Sequence, residues 1–471
     1  MYYCPSVLVG QTSRSARVLQ DPLFAQRYNE STGMPTETET EQTTAGSYFV
    51  SNYPPYSFWS PAHVGDVFAA LDRPPAPNTP LGIYLHIPFC RKRCHFCYFK
   101  VYTDKNAAEV EGYLDTAIQE LTLYSEKAFI GGRKPKFIYF GGGTPSYISS
   151  RQLSSLVERM KRLLPWDEAE EVAFECEPGT LTEGKLQVIK DLGVTRLSLG
   201  IENFDDDILK INGRAHTSKE IGPAYRFARS IGFPQINIDL IAGMVGETTA
   251  NWRECVRKTI ELDPDSVTIY QMEVPYNTTI FKEMKVTGQS VAPVATWKTK
   301  REWVSYAFSE LENAGYTVRS AYTAVKNPTR TRFVYTDLLW SGADMVGLGV
   351  ASFSHVQGTH FQNEHEFETY SGKLRHGSLP IYRALTLTQE QRMIRELILQ
   401  MKLGHVREQY FKNKFSVRIQ ERFAIPVSML RDRGFLTTDA DSLRLTRDGL
   451  LQVDRLLYEF FLPEHKLALT A

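Results

Sequence analysis

Six short runs rich in β-branched and aromatic residues, at Gly82–Ile87, Lys136–Phe140, Glu171–Glu175, Arg196–Ile201, Gln235–Ile241 and Ser266–Gln271, alternate with stretches of helical periodicity. Ala107–Ser125 carries Leu114, Ile118 and Leu121 on one face, and Ser150–Leu164 follows the same period. Successive βα units leave few folds open, because parallel strands cannot be joined by tight turns and each helix must cross over and cover the sheet. The pattern predicts an α/β fold built on an open or partial (β/α)6 barrel, with a doubly wound sheet as the second option. Glycine-rich and polar residues follow the runs directly, which places the active face at the C-terminal ends of the strands.

The βα rhythm stops after Ala351, so residues 82–356 are read as the barrel and 357–384 as a connector. Residues 385–471 are mostly helical, with a hairpin-like stretch at Gly434–Leu445 and a last helix around Leu450–Phe461, the pattern of a small winged-helix-like domain. No basic face is evident in it, which speaks against nucleic acid as a partner. At the other end, Pro35–Ser47 (PTETETEQTTAGS) is polar and repetitive, so residues 1–47 are expected to be a disordered extension or, up to Met34, a start-site artefact. Residues 48–81 open with YFVSNYPPYSFWS, too aromatic for a solvated linker; they are expected to pack on the barrel, as core cover or beside the substrate.

Lys+Arg and Asp+Glu balance at 54 each, so no bulk field attracts nucleic acid. Apolar runs such as Ile236–Val245 are short and interrupted by charge, and no signal peptide is clear, so no membrane span is expected. The six cysteines, Cys4, Cys90, Cys94, Cys97, Cys176 and Cys255, are too sparse for a disulfide scaffold. Half of them fall in Cys90-Arg-Lys-Arg-Cys94-His-Phe-Cys97, directly after the first run, which reads as metal ligation in a reducing cytoplasm. Three thiolates from one tight loop can hold three irons of a cubane cluster and leave the fourth open to a small-molecule ligand. The competing reading is zinc on the three cysteines plus His86 or His95. Arg91, Lys92, Arg93 and Lys100 are expected to lower the thiol pKa values.

Tyr84-Leu-His-Ile-Pro-Phe-Cys90 running into C-x3-C-x2-C resembles the radical S-adenosylmethionine (SAM) superfamily, in its oxygen-independent coproporphyrinogen III oxidase branch. That branch also holds heme chaperones, heme-degrading enzymes, radical methyltransferases and cyclopropane-forming enzymes. The resemblance runs from about Leu81 into the C-terminal domain. It implies a radical SAM barrel with a [4Fe–4S] cluster on Cys90, Cys94 and Cys97, whose open iron is chelated by SAM. An electron from the reduced cluster then cleaves SAM to methionine and a 5′-deoxyadenosyl radical, so a reducing partner such as flavodoxin or ferredoxin is implied. Gly141-Gly142-Gly143-Thr144-Pro145 is similar to the family's site for the SAM amino group. Glu175 is similar in register to its SAM-binding glutamate; Glu177 is the alternative, and Cys176 should face the other side. Arg214 matches the arginine paired with a SAM carboxylate, Asp239 a ribose-binding acid, and Phe353, in Gly347-Leu-Gly-Val-Ala-Ser-Phe353, the segment bordering SAM. Tyr84, Phe96 and Glu202 complete the expected cofactor-binding set, and Tyr84 and Glu273 are the catalytic candidates.

Three features depart from the pattern of the branch: Phe99 stands where the oxidase has a fourth cysteine, Tyr98 where heme chaperones usually read aspartate, and Gln271 and Glu273 where the oxidase has a different polar set. Glu202 stands where the family often has glutamine. The sequence reading is therefore an enzyme that uses SAM twice, the second molecule donating a methyl or methylene group to an sp² carbon of an unsaturated or tetrapyrrole substrate. Its reacting atoms need near-attack placement, so both cofactors share the barrel mouth. Oxidative decarboxylation of coproporphyrinogen III and heme chaperoning are the alternatives.

Overall fold

β1 (Leu81–Ile87), β2 (Phe137–Gly142), β3 (Glu171–Cys176), β4 (Arg196–Glu202), β5 (Gln235–Ala242) and β6 (Ser266–Gln271) pair in that order, all parallel. The computed structural model describes residues 41–47 and 49–466. Side chains alternate across these strands. Ile83, Leu85, Ile138, Phe140, Leu197, Leu199, Ile236 and Ile238 join the buried core with Tyr113, Leu114 and Leu121 of the covering helix Ala107–Ser125. That helix starts on a capping box between Asn106 and Glu109. The other face of each strand looks into the barrel and is unusually polar.

The sheet grows past the six strands on both edges. β7 (Thr317–Val318) and β8 (Thr323–Val325) add antiparallel beyond β6. β9 (Asp344–Leu348) adds parallel to β1, and β10 (Phe353–Val356), β11 (Thr359–Asn363) and β12 (Ile381–Thr386) continue antiparallel from it, giving a twelve-stranded open sheet. The stretch 357–384, expected as a connector, thus carries β11, the helix Phe367–Arg375 and half of β12. Its strands bury His360, Gln362 and Asn363, so the apolar alternation that marks a strand is missing from the sequence.

The barrel floor is closed. Arg196 donates to Glu171 at 3.0 Å, both fully buried, and Glu171 also accepts from the Val334 amide at 2.9 Å. Below them Phe137, Val334, Leu339, Ala343 and Met345 form an apolar plug. Above, Asn237 bonds Ser198, Asp239, Ser266 and Thr268, which partners these buried side chains with one another.

After β12 come the helices Gln389–Met401, Glu408–Phe415, Ile419–Arg422 and Ala424–Asp432, with β13 (His405–Arg407), β14 (Leu436–Thr438) and β15 (Ser442–Leu445) in a three-stranded antiparallel sheet. Ile394, Leu397, Ile398, Phe411, Leu430 and Leu457 make a second core, which also takes in Val50 and Tyr53. The chain from Thr43 onward forms one unit. Residues 43–47, expected within a disordered stretch, instead pair with the body, through bridges of Thr44 to Val291 and Gly46 to Val274. The remainder of that expectation, residues 1–40, lies outside the described residues. Farther on, Tyr53 Oη meets His465 Nδ1 at 2.7 Å and Ser60 bridges to Ala384. No helix of the described residues is long and apolar enough to cross a membrane.

Candidate active site

The cysteine loop leaves β1 at the C-terminal mouth and is pinned on every side. The Cys90 amide donates to Tyr102 O (3.0 Å), the His95 amide to Asn212 O (3.0 Å), and the Ile280 amide to His95 O (3.2 Å). Arg93 reaches back to Cys97 O at 3.0 Å. Burial, with the charges of the neighbouring thiols, pushes Cys90 up to about 12 and Cys97 up to about 11. Basic neighbours were expected to lower them; Arg93 does pull Cys97 down, but burial outweighs it, while Arg91 is turned to Glu177 (2.5 Å) and Lys100 to Glu366 (3.0 Å). Thiols crowded together and shielded from water are held ready for bound cations, which reverse the shift.

The donor set fits a cluster rather than zinc. His86 Nδ1 meets Tyr84 Oη at 3.2 Å and its Nε2 meets Lys100 O at 3.3 Å, so neither nitrogen is free to ligate. His95 packs against Gly213. No group of three His, Cys, Asp or Glu among the described residues converges on one ion. Thiolates that serve separate irons of a cubane need no common point.

The glycine loop is built for contact with this cysteine loop. Gly142 has φ +109°, and a Cβ there would meet His86 Nδ1 at 2.3 Å; a Cβ on Gly143 would meet Cys90 Sγ at 3.0 Å. Thr144 Oγ1 donates to Cys90 Sγ at 3.4 Å. The amides of this loop are committed within the chain: Gly142 donates to Glu175, Gly143 to Ile87 O and Thr144 to Phe89 O. The loop braces the cysteine loop.

Glu175 lines the barrel, accepting from Tyr139 Oη (2.7 Å) and the Gly142 amide (3.1 Å). Glu177 turns instead to Arg91, and Cys176 is buried in the core behind the sheet. Arg214 donates to Cys94 Sγ (3.2 Å) and Gly200 O (2.6 Å) and lies 3.6 Å from Glu202, itself in left-handed backbone at φ +65°. Burial raises Glu175 and Glu202 to about 7; Arg214 opposes the rise at Glu202. Asp239, bonded to Ser198 (2.7 Å) and Asn237 (2.9 Å), is raised too. Tyr84 lies among them, its hydroxyl shifted up by burial and by Glu175.

The three remaining candidates have other surroundings. Phe96 packs in apolar clusters with Ile208, Met244 and Met272. Phe353 is stacked under Tyr56 at 4.6 Å. Glu273 Oε2 accepts from Ser47 Oγ at 2.5 Å. Sequence reasoning missed the Arg91–Glu177 pair, buried His216 beside it, with Nδ1 4.0 Å from Glu177, and Tyr139. The alternation of β2 was the available signal for Tyr139.

A scan against family models matches residues 84–259 to the radical SAM superfamily and residues 387–451 to the HemN C-terminal domain. It is a radical SAM protein with a HemN-type C-terminal domain. Among curated relatives, this radical SAM chain is 28% identical to the heme chaperone HemW of Bacillus subtilis over 78% of its own length and 96% of the relative's. It is 27% identical to the oxygen-independent coproporphyrinogen III oxidase of Helicobacter pylori (strain J99), over 81% and 86% of the two chains. The solved coproporphyrinogen III oxidase HemN from Escherichia coli superposes with a TM-score of 0.76 at 21% identity, covering 89% of this chain and 99% of that one, and shares the radical SAM fold. Methyl or methylene transfer, expected from Phe99 and Tyr98, gains no support: these matches, which span most of both chains, are oxidases and a chaperone.

Proposed function

We propose that this chain holds a [4Fe–4S] cluster on Cys90, Cys94 and Cys97 with SAM beside it, and acts as an oxidoreductase on a propionate-bearing tetrapyrrole of the coproporphyrinogen type. The observation that carries this is Arg214, which joins Cys94 Sγ (3.2 Å) to the buried acids of the mouth through Glu202 (3.6 Å). When bound, the reduced cluster and SAM supply one-electron cleavage of the sulfonium and hydrogen-atom abstraction. The chain supplies the rest. Arg214 offers a guanidinium to a carboxylate beside the cysteine loop. Glu175 and Glu202, protonated or ionised near neutral pH, can accept from or donate to amino and hydroxyl groups. The closed floor and the apolar plug keep water out from below.

Anaerobic incubation of the reduced, cluster-loaded protein with SAM and coproporphyrinogen III tests this. The expected result is 5′-deoxyadenosine together with loss of carbon dioxide from propionate side chains. The match to HemW favours a second reading, a heme-binding chaperone. Stoichiometric heme binding without SAM cleavage would establish that reading and overturn ours.

A further inference from the structure

Phe353, Gln362 and Arg383 stand directly opposite one another on β10, β11 and β12, so their side chains share one face of the sheet. That face is the barrel's inner one. On β9, Gly347 lies beside Tyr84, and Met345, opposite His355, packs into the floor with Phe137. Tyr56 covers the row, with its ring on Phe353 and its carbonyl accepting from Arg383 Nη1 at 3.0 Å. Arg383 Nε donates to Gln362 Oε1 at 2.7 Å.

Among the described residues Arg383 has no carboxylate partner. Besides those two bonds, its guanidinium is flanked by the rings of Tyr382 (5.9 Å) and Tyr56 (6.0 Å), and burial pulls it below the ordinary arginine range. Several part-buried or buried arginines here do have one, Arg91 with Glu177, Arg133 with Asp344, Arg196 with Glu171 and Arg214 with Glu202, whereas Arg93 and Arg395, like Arg383, bond neutral groups. A guanidinium drawn partly out of water without an anion is unfavourable unless something else brings the anion. Arg395, buried and bonded to Asn52 (2.9 Å), adds a second positive charge acting on Tyr56. The inner face of the sheet is thus polarised, with Glu175, Glu202 and Asp239 on β3–β5 and positive charge without a carboxylate partner on the β12 side.

We propose that Arg383 binds a substrate carboxylate, a propionate arm of the tetrapyrrole, with Tyr56 and Tyr382 flanking it. The inference rests on the substrate class proposed above. The test titrates the cluster-loaded protein with coproporphyrin III and with its uncharged tetramethyl ester in dilute detergent, following porphyrin fluorescence. The wild type should bind the acid about tenfold or more tightly than the ester, as a charge-assisted bond implies. Arg383→Gln should lose about tenfold for the acid and little for the ester, and Arg383→Lys should recover part, because it keeps the charge but not the fork. Equal weakening of both ligands, or no change in either, overturns the assignment. Iron content and melting temperature verify folding; if Arg383→Gln does not fold, the acid-to-ester ratio of Arg383→Lys decides. A wild type that takes up neither ligand overturns the substrate class itself and Arg383 with it.

Discussion

Arg214 is the side chain on which most of the site turns, because Nη1 holds Cys94 Sγ while Nη2 holds Gly200 O. A lysine keeps the charge but reaches only one of the two. Arg214→Lys is therefore expected to weaken SAM binding by about tenfold or more, measured by equilibrium dialysis on cluster-loaded protein, with iron content close to wild type. Glu120 gives a second prediction, in pH. It is wholly buried, takes bonds from Tyr370 Oη (2.6 Å), the Gly349 amide (2.8 Å) and Asn363 Nδ2 (2.7 Å), and burial raises it to about 7. A carboxyl whose folded pKa exceeds its unfolded value is most compatible with folding when protonated, so its ionisation costs stability as pH climbs from about 4.5 to 7. Glu120→Gln cannot ionise, so its stability relative to wild type should improve by about 2 kcal/mol from pH 5 to pH 7.5. Urea unfolding of the metal-free protein at the two values checks this; a difference that does not move with pH refutes it.

Among the elements, the glycine loop after β2 has the least room to change. Gly143→Ala places a methyl 2.9 Å from Ile87 O and 3.0 Å from Cys90 Sγ. The expected outcome is a drop of half or more in iron per chain after reconstitution, with unfolding little altered, measured by iron assay and calorimetry. Gly142→Ala must also bear a left-handed φ and displace buried His86, and should cost about 1–3 kcal/mol of stability. The strands behind this loop were legible in the sequence. β6 spans the residues its pattern marks, and β1 to β5 differ from theirs by a residue or two, because buried parallel strands are near-continuous apolar runs. β10 to β12 were not legible, since their inward residues His355, His360, Gln362 and Arg383 are polar. In the site, the cysteine triplet could be read from spacing, and Arg214 was proposed from the family resemblance alone. The braced amides of the glycine loop and the reversed thiol shifts could not, because both depend on what lies across the fold, Ile87 O in one case and burial in the other.

Across the whole molecule, three distant parts of the chain meet at Asp454. It pairs with buried Lys402 at 2.7 Å, accepts from the Val50 amide at 2.9 Å and bonds Tyr322 Oη. Asp454→Ala leaves the Lys402 ammonium buried and uncompensated, which is expected to cost about 3–5 kcal/mol. Limited proteolysis should then cut first near Val50, where the N-terminal segment loses its anchor. Asp454→Asn, which retains the shape and one acceptor, should fall between the two. The closed floor, with Glu171, Arg196 and the plug around Val334, acts on the same scale. A well sealed at the bottom has an order of filling. On the function proposed above, the partner nearest the floor would enter first and leave last, so that turnover would be a queue in which the deep occupant departs only after the outer one has cleared the way.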